Sequence, residues 1–311
     1  MPFVKTLYHI KEPMPAFLWL MRERGYTQSQ AQRILDRQRL KQSARVITKA
    51  QMICGEVELS EFVPCAIPHA PHIQPLFSNQ DFCVYDKPHD LLTHPKGRFH
   101  HYSLNDVLKS HFGLRAQSLH RLDKQTSGLV LCAINPASKK DLESLMASRG
   151  IAKGYCAIVS GRVRGQILID KPIARQRKGD LSVKSIIAPQ GKKSYTLIRP
   201  LAYHAPTDST LIYALPLTGR THQIRLHCAA IGHRILGDPL YGVSEERSRF
   251  YLEHSHVSPE VHERLFGAPY LCLNAYQLRF CFKGIDYHFR CHAPFAFMPH
   301  FQGFLERASF F

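Results

Sequence analysis

Short apolar runs broken by turn residues dominate the chain. They recur as Phe82-Cys83-Val84-Tyr85-Asp86, as 129–134, and as the alternating Lys153-Gly154-Tyr155-Cys156-Ala157-Ile158-Val159-Ser160-Gly161. Shorter pieces lie at 166–169, 182–187, 193–199 and 210–217, and 272–292 alternates as two more. Their length and β-branched content predict strands. Helical spacing is rarer. Ser103 ahead of Leu104, Val107 and Leu108 predicts a short capped helix. Asn135-Pro136 opens another to about Ser148, with Asn as cap and Pro at the first position. Thr221 is placed to cap a third, running to about Ile231, and Ser258-Pro259 a fourth. Strands outnumber helices and few segments fit a βαβ repeat. The fold class is therefore α+β on a mixed, mainly antiparallel sheet.

Residues 14–60 read differently. Pro15 suits a helix first turn and Gly25 a stop, with Phe17, Leu18 and Met21 on one face. Thr27 and Gln30 have capping-box spacing. The next helix places Ala31, Ile34 and Leu35 on one face, and Arg33, Arg37 and Lys41 as a cationic stripe on another, with Arg39 and Arg45 adding to it. Two short strands are expected near 45–49 and 56–59. The stripe lacks the acidic i+4 partners of a merely solvated helix, which favours an RNA-binding face. Two small helices, the second basic, and a β-turn-β tail resemble the S4 RNA-binding module. That pattern usually carries a Val-Asn-Gly-like turn, where this chain has Leu40-Lys41-Gln42-Ser43. Prolines 64, 68, 71 and 75 disfavour both helix and central strand. The expected organisation is an S4-like domain over 1–62, a linker over 63–76 and a second domain over 77–311.

Composition narrows the function. A chain of 311 residues accommodates two domains, and 44 % hydrophobic content supplies a core. The formal net charge of +17 favours a polyanionic partner, nucleic acid first. Nine cysteines, an odd number without a Cys-x-x-Cys pair, argue against a disulfide framework or a zinc ribbon and for reduced thiols in a cytoplasmic protein. The apolar run at 16–21 is too short for a signal sequence or a membrane span. Nineteen histidines raise the possibility of a metal-dependent hydrolase. No His-Glu-x-x-His occurs, His222 and His227 are poorly spaced for one helix face, and His254-x-His256 has no nearby carboxylate, so no metal is expected.

The candidate chemistry lies in 118–134. His120-Arg121-Leu122-Asp123-Lys124-Gln125-Thr126-Ser127-Gly128 is polar and runs into the apolar 129–134. It reads as a loop at a sheet edge, with Asp123 flanked by Arg121 and Lys124. A turn-capping aspartate is the ordinary reading of such a residue. A second polar block runs Leu217-Thr218-Gly219-Arg220-Thr221-His222-Gln223-Ile224-Arg225-Leu226-His227 and ends in Gly237-Asp238-Pro239-Leu240-Tyr241-Gly242.

His-Arg-Leu-Asp followed by Thr-Ser-Gly, Lys-x-Tyr-x-Ala-x-Val-x-Gly, Thr-Gly-Arg-Thr-His-Gln-Ile-Arg-x-His and Gly-Asp-x-Leu-Tyr-Gly occur here in that order. Together with Lys87-Pro88 and His94-Pro95 they resemble the RluA-type pseudouridine synthases over roughly 80–300. The resemblance implies a catalytic domain that breaks the N1–C1′ bond of a uridine and rejoins the base through C5, without cofactor. It makes Asp123 the catalytic aspartate, attacking C1′ or leading to a glycal. It makes Arg225 its ion-pair partner and Tyr155 the residue that stacks on the flipped base and transfers the C5 proton. Leu226 then packs near the base, and His120, Arg121 and Arg220 position the loop or the RNA. Lys87, with Arg33, Arg37 and Lys41, is expected to contact RNA. The implied partner is structured RNA met by a monomer, large-subunit ribosomal RNA ahead of transfer RNA. A non-catalytic RNA-binding protein on the same scaffold is the alternative; its expected loss of Asp123, Tyr155 or Arg225 has not occurred. Where the family often has Lys-Pro-Ala-Gly, this chain has Lys87-Pro88-His89-Asp90, so the turn lacks its glycine and a different path is expected. The family's Leu-His-Ala block reads Leu273-Asn274-Ala275.

Overall fold

The computed structural model describes residues 3–62, 73–95, 102–176, 183–254, 257–292, 294–301 and 304. Most of the proline-crowded stretch, residues 177–182 and His256 lie outside these. The chain divides into two compact units, Met1–Ala70 with Pro95–Asp106, and Pro71–His94 with Val107–Phe311.

The first unit runs β1 (Phe3–Pro15), α1 (Ala16–Arg22), α2 (Gln28–Asp36), β2 (Leu40–Gln42), β3 (Arg45–Val46) and β4 (Met52–Phe62). Its strands pair antiparallel in the order β1-β4-β2-β3. Trp19, Leu20, Ala31, Ile34 and Leu35 from the helices bury against Leu40, Ile47, Ile53, Val57 and Leu59. The Thr27–Gln30 capping box forms as its spacing predicts. Two expectations change, and a strand forms over residues 3–13, for which no element is expected. β1 is a long strand whose burial alternates from Lys5 to Ile10, although apolar and polar residues do not; it lies at the sheet edge, and its register shifts between Ile10 and Met14, around Pro13. Pro15 therefore ends that strand as the N-cap of α1 instead of entering the helix. The cationic stripe is also not one helical face. α2 stops at Asp36, Gln38 turns left-handed at φ +56°, and the chain re-enters the sheet so that Leu40 can bury. Arg33 and Arg37 stay at the helix end, while Lys41 lies on β2 opposite Val46 and Glu58.

The second unit carries β5 (Phe77–Ser78), β6 (Phe82–Lys87), and, after α3 (Leu104–Phe112), β7 (Gln117–Ser118), β8 (Ser127–Ala133), α4 (Pro136–Ala147) and β9 (Ala152–Ser160). There follow β10 (Ile167–Asp170), β11 (Ile173–Arg175), β12 (Ser185–Ile187), β13 (Tyr195–His204) and β14 (Ser209–Pro216). The chain continues through α5 (Gln223–Ala230), α6 (Glu245–Glu253), α7 (Pro259–Phe266), β15 (Leu273–Phe282) and β16 (Ile285–Arg290). The large sheet has the order β10-β13-β14-β9-β15-β8-β6-β5, with β16 on β15 and β7 on β8. β11 and β12 form a separate ribbon. Every residue of β8 is buried, as its unbroken apolar run requires.

Within this sheet β8 and β15 form the one parallel pairing among the described strands, Ser127 opposite Asn274 and Gly128 opposite Ala275. The pairing explains Thr-Ser-Gly. Gly128 sits at φ +110°, and a Cβ there would stand 2.5 Å from the Ala275 backbone nitrogen and oxygen. Asn274 Nδ2 donates to Ser127 Oγ at 2.9 Å. The strand that follows the Asp123 loop is thus fixed at its first residues to a strand far along the chain. Gly128→Ala should lower stability by at least about 1–3 kcal/mol from backbone strain alone, with β8 and β15 pushed apart. Urea unfolding measures it; a loss under about 0.5 kcal/mol would mean that the close approach does not hold the sheet.

Candidate active site

Asp123 occupies the loop between β7 and β8, and its carboxylate is 20 % exposed. The cation facing it is not a sequence neighbour. Arg225 Nη1, from the first turn of α5, stands 3.4 Å from Asp123 Oδ2. His222 Nε2 lies 3.7 Å from Oδ1. Of the flanking cations, Lys124 turns to Asp90 at 3.9 Å, and Arg121 is exposed.

Arg225 is fixed by a residue to which the sequence motifs assigned no role. Asp238 takes it in a two-pronged pair, Nε to Oδ2 at 2.7 Å and Nη2 to Oδ1 at 2.8 Å, with both side chains at most 1 % exposed. Asp238 Oδ1 also accepts the Leu240 and Tyr241 N–H groups at 2.8 and 3.1 Å. Gly237 makes the turn possible at φ +72°, where a Cβ would stand 1.9 Å from the Tyr270 carbonyl. Burial alone would raise the Asp238 carboxyl, but the Arg225 charge and these hydrogen bonds outweigh it and hold it below the usual carboxylate range. Burial likewise works against the Arg225 guanidinium, and Asp238 more than restores it. The signal was available: Gly-Asp-x-Leu-Tyr-Gly places a carboxylate in a turn just beyond a helix that carries an arginine.

Helix α5 starts later than its predicted Thr221 cap. The chain reverses at His222, which takes φ +57° as N-cap. Ser185 Oγ donates to the Thr221 carbonyl at 3.0 Å. Gln223 then ties the helix to β13: its Nε2 donates to the Tyr195 carbonyl and Thr196 Oγ1, both at 2.9 Å. Its Oε1 accepts from Thr218 Oγ1 at 2.8 Å and Arg220 N–H at 3.0 Å.

The Asp123 loop rests on residues 87–93. Lys87 Nζ donates to the carbonyls of Pro88, Leu91 and Lys124 at 2.9, 2.8 and 3.2 Å. Thr93 Oγ1 bonds both the Leu122 carbonyl and the Leu122 N–H, at 3.0 and 3.1 Å. His89 Nδ1–H donates to the Gln125 carbonyl at 3.0 Å, and the Gln125 amide reaches the Tyr251 hydroxyl. This corrects the expectation for Lys87. It is fully buried and grips the loop from beneath, so it offers RNA no surface. Burial pushes its ammonium down to about 7, against the pull of Asp123, Asp90 and Asp86. The missing glycine has a physical substitute: Asp90 adopts φ +60°, a conformation aspartate tolerates better than most residues.

The remaining predicted residues divide. Tyr155 lies on β9, paired through Ala214. Burial first, then the Asp123 charge, push its phenol well above the usual range, which puts ring and carboxylate within electrostatic reach. Leu226 packs with Ile173, Leu240 and Tyr241. His120 is not turned toward RNA: its Nε2 accepts the Leu131 N–H at 3.1 Å, and burial keeps the ring neutral. Arg220 is exposed, its Nη2 at 3.5 Å from the Lys193 carbonyl. Arg33, Arg37 and Lys41 belong to the first unit. Among the described residues no group of three or more His, Cys, Asp or Glu is placed to hold a metal ion.

The chain and its fold are similar to known proteins. The family model for RNA pseudouridylate synthase matches residues 81–230. An uncharacterized RNA pseudouridine synthase of Helicobacter pylori is 43 % identical over 313 residues, covering 100 % of each chain. Ribosomal large subunit pseudouridine synthase D of Nitrosomonas europaea is 36 % identical over 172 residues, covering 54 % of this chain and 49 % of that one. The tRNA pseudouridine(31) synthase of Saccharomyces cerevisiae is 33 % identical over 184 residues, covering 53 % and 45 %. The structure of human RNA pseudouridylate synthase domain containing 1 shares the fold, with a TM-score of 0.58 at 24 % identity, over 74 % of this chain and 87 % of that one. The chain belongs to the RNA pseudouridine synthase family, isomerases that act on RNA.

The buried pair is tested by Asp238→Asn. Removing the two-pronged carboxylate partner of the buried Arg225, which leaves it Asp123 at 3.4 Å, should cost about 3–5 kcal/mol at neutral pH. The native Asp238 carboxyl is held below its unfolded range, so its contribution is present above about pH 4 and is lost as pH falls through the native value. The difference between wild type and variant should therefore shrink in acid. Urea unfolding at pH 7 and pH 3 reads it; a difference independent of pH would show that the charge of Asp238 is not what stabilises.

Proposed function

We infer that this chain converts uridine to pseudouridine in structured RNA, with Asp123 as the attacking carboxylate. The observation that carries the reading is the partly exposed Asp123 facing an arginine that is itself locked by Asp238. A guanidinium so held keeps its charge and needs no reorganisation as the reaction proceeds. The balance of the reaction needs no external reagent. The N1–C1′ bond breaks, C5 bonds to C1′, the C5 hydrogen leaves and N1 gains one. Asp123 serves the carbon–nitrogen cleavage, by attack on C1′ or by the proton abstraction that gives a glycal. Tyr155, kept protonated by burial and by Asp123, offers a ring to the extruded base; this state suits stacking better than acceptance of the C5 proton.

The first unit, with two helices on a small sheet and exposed Arg33, Arg37 and Arg45, reads as an S4-like RNA-binding domain joined to the catalytic domain by the segment 63–76. A net charge of +17 supplies the backbone contacts that offset base extrusion, and a cytoplasmic monomer meets these needs. Large-subunit ribosomal RNA is the first target class, supported by the likeness to the Nitrosomonas enzyme and by the basic N-terminal unit. Transfer RNA is the second, supported by the likeness to the yeast enzyme. Mapping pseudouridines in total RNA of a deletion strain decides: a site lost from large-subunit rRNA supports the first, and losses confined to tRNA replace it by the second.

Asp123→Asn should reduce pseudouridine formation by at least about 1,000-fold while leaving RNA affinity within a few-fold; substantial residual turnover would sink the assignment of Asp123. Replacing Arg33, Arg37 and Lys41 together with Ala should weaken RNA binding and flatten the log K against log salt slope by about 2–3, at roughly 0.7–0.9 for each phosphate no longer neutralised. An unchanged slope would remove the first unit from the RNA interface.

A further inference from the structure

The second oxygen of Asp123 also has a neighbour, and that neighbour is oriented from behind. His222 Nδ1 lies 2.8 Å from the Tyr241 hydroxyl. The same hydroxyl accepts the Ser185 backbone N–H at 2.7 Å. The Ser185 N–H occupies one acceptor position, and in the arrangement proposed here the phenol's own hydrogen is given to His222 Nδ1. Burial pushes the Tyr241 phenol up to about 12, so the hydrogen is there to give. An imidazole that accepts at Nδ1 carries its hydrogen on Nε2, and Nε2 is the nitrogen 3.7 Å from Asp123 Oδ1. Arg225 meanwhile faces Oδ2 at 3.4 Å. The two oxygens are thus addressed by different donors, Arg225 in a long hydrogen bond and His222 just beyond that length, as donors in an unliganded site commonly are.

The backbone is consistent with this role. His222 holds φ +57° and ψ +22° and makes no side-chain cap to α5, so its conformation is not explained by helix capping. Non-glycine residues in this region are strained and cluster at functional sites.

The geometry points to His222 as a positioning residue for Asp123, a neutral Nε2–H donor set by the Ser185–Tyr241 relay that fixes the plane of the carboxylate together with Arg225. The inference rests on the reading of Asp123 as the attacking group. It also gives the Gly-Asp-x-Leu-Tyr-Gly turn one task in two parts: Asp238 orients Arg225, and Tyr241 orients His222.

The test uses the full chain and in vitro transcripts of large-subunit rRNA and tRNA, with pseudouridine counted by mass spectrometry. His222→Asn keeps a residue that tolerates positive φ but is too short to reach Asp123. It should lower kcat by about 10- to 100-fold, the effect of a lost hydrogen bond to a charged group, with KM, RNA affinity and Tm little changed. His222→Gln, which restores an N–H at longer reach, should recover part of the loss. Nitrogen-15 NMR of the histidine side chains, with His222 assigned by its absence in His222→Asn, should show the Nε2–H tautomer in wild type and a mixed population in Tyr241→Phe. A wild-type Nδ1–H tautomer, or full kcat in His222→Asn, overturns the proposal. If Asp123→Asn stays active, the reading of Asp123 fails instead; if it is inactive while His222→Asn is unimpaired, only this inference fails.

Discussion

A guanidinium taken fully out of water is costly unless a carboxylate comes with it, and Arg225 is at most 1 % exposed. That requirement shapes the whole second polar block. Helix α5 must present the arginine inward, so Gln223 and His227 bind it to β13; His227 sits between Thr196 Oγ1 and the Lys171 carbonyl, both at 2.9 Å. The chain must then double back after α5 to bring Asp238 beside Arg225. The turn that achieves this delivers Leu240 and Tyr241 against Leu226. What remains of Arg225 after Asp238 is satisfied is a single Nη1 aimed at Asp123. The charge at the site is therefore set by the folding of the scaffold, before any RNA arrives.

The loop that carries Asp123 is held by a different device. Residues 87–93 act as a template: Thr93, Lys87 and His89 bond the backbone of residues 122, 124 and 125 in turn. All three partners are backbone carbonyls, which any residue type at 122, 124 and 125 would provide. This chain has in addition His89 stacked on Tyr270, with ring centroids 5.0 Å apart, and Asp90 beside Lys124, in place of the small residues common in the family. The departure from the pattern lies in how the loop is supported, while the side chain it presents is the same.

Much of this was legible in the sequence, and the reasons for the rest are physical. Elements set by local rules were readable: the strands of the large sheet from their apolar runs, α4 from Asn135-Pro136, and α2 from its capping box. Asp123 and Arg225 were readable only through motif resemblance, since nothing in the spacing of residues so far apart says that they meet. β1 was missed because prolines and charges mask an edge strand whose irregularity is absorbed by a shift in register. The Arg33–Arg37–Lys41 stripe was over-read because a four-residue period continues on paper past the point where Leu40 must enter the sheet. Lys87 was misplaced because a lysine with three carbonyl acceptors looks, in sequence, like any surface lysine. Asp238 was passed over because a carboxylate in a turn is ordinary until the arginine it faces is known to be buried.

The pairing of β8 with β15 also sets an order of assembly. Ser127 and Gly128 find their partners at Asn274 and Ala275, and Gln125 finds Tyr251. During synthesis, which proceeds from the N-terminus, the aspartate loop leaves the ribosome long before the strand and helix that fix it. Closing so large a loop is slow relative to local structure. A nascent chain stopped before β15 would carry every residue of the 118–134 motif without the geometry that makes it a site. The site thus forms only after β15 has been made and has completed the sheet beside β8.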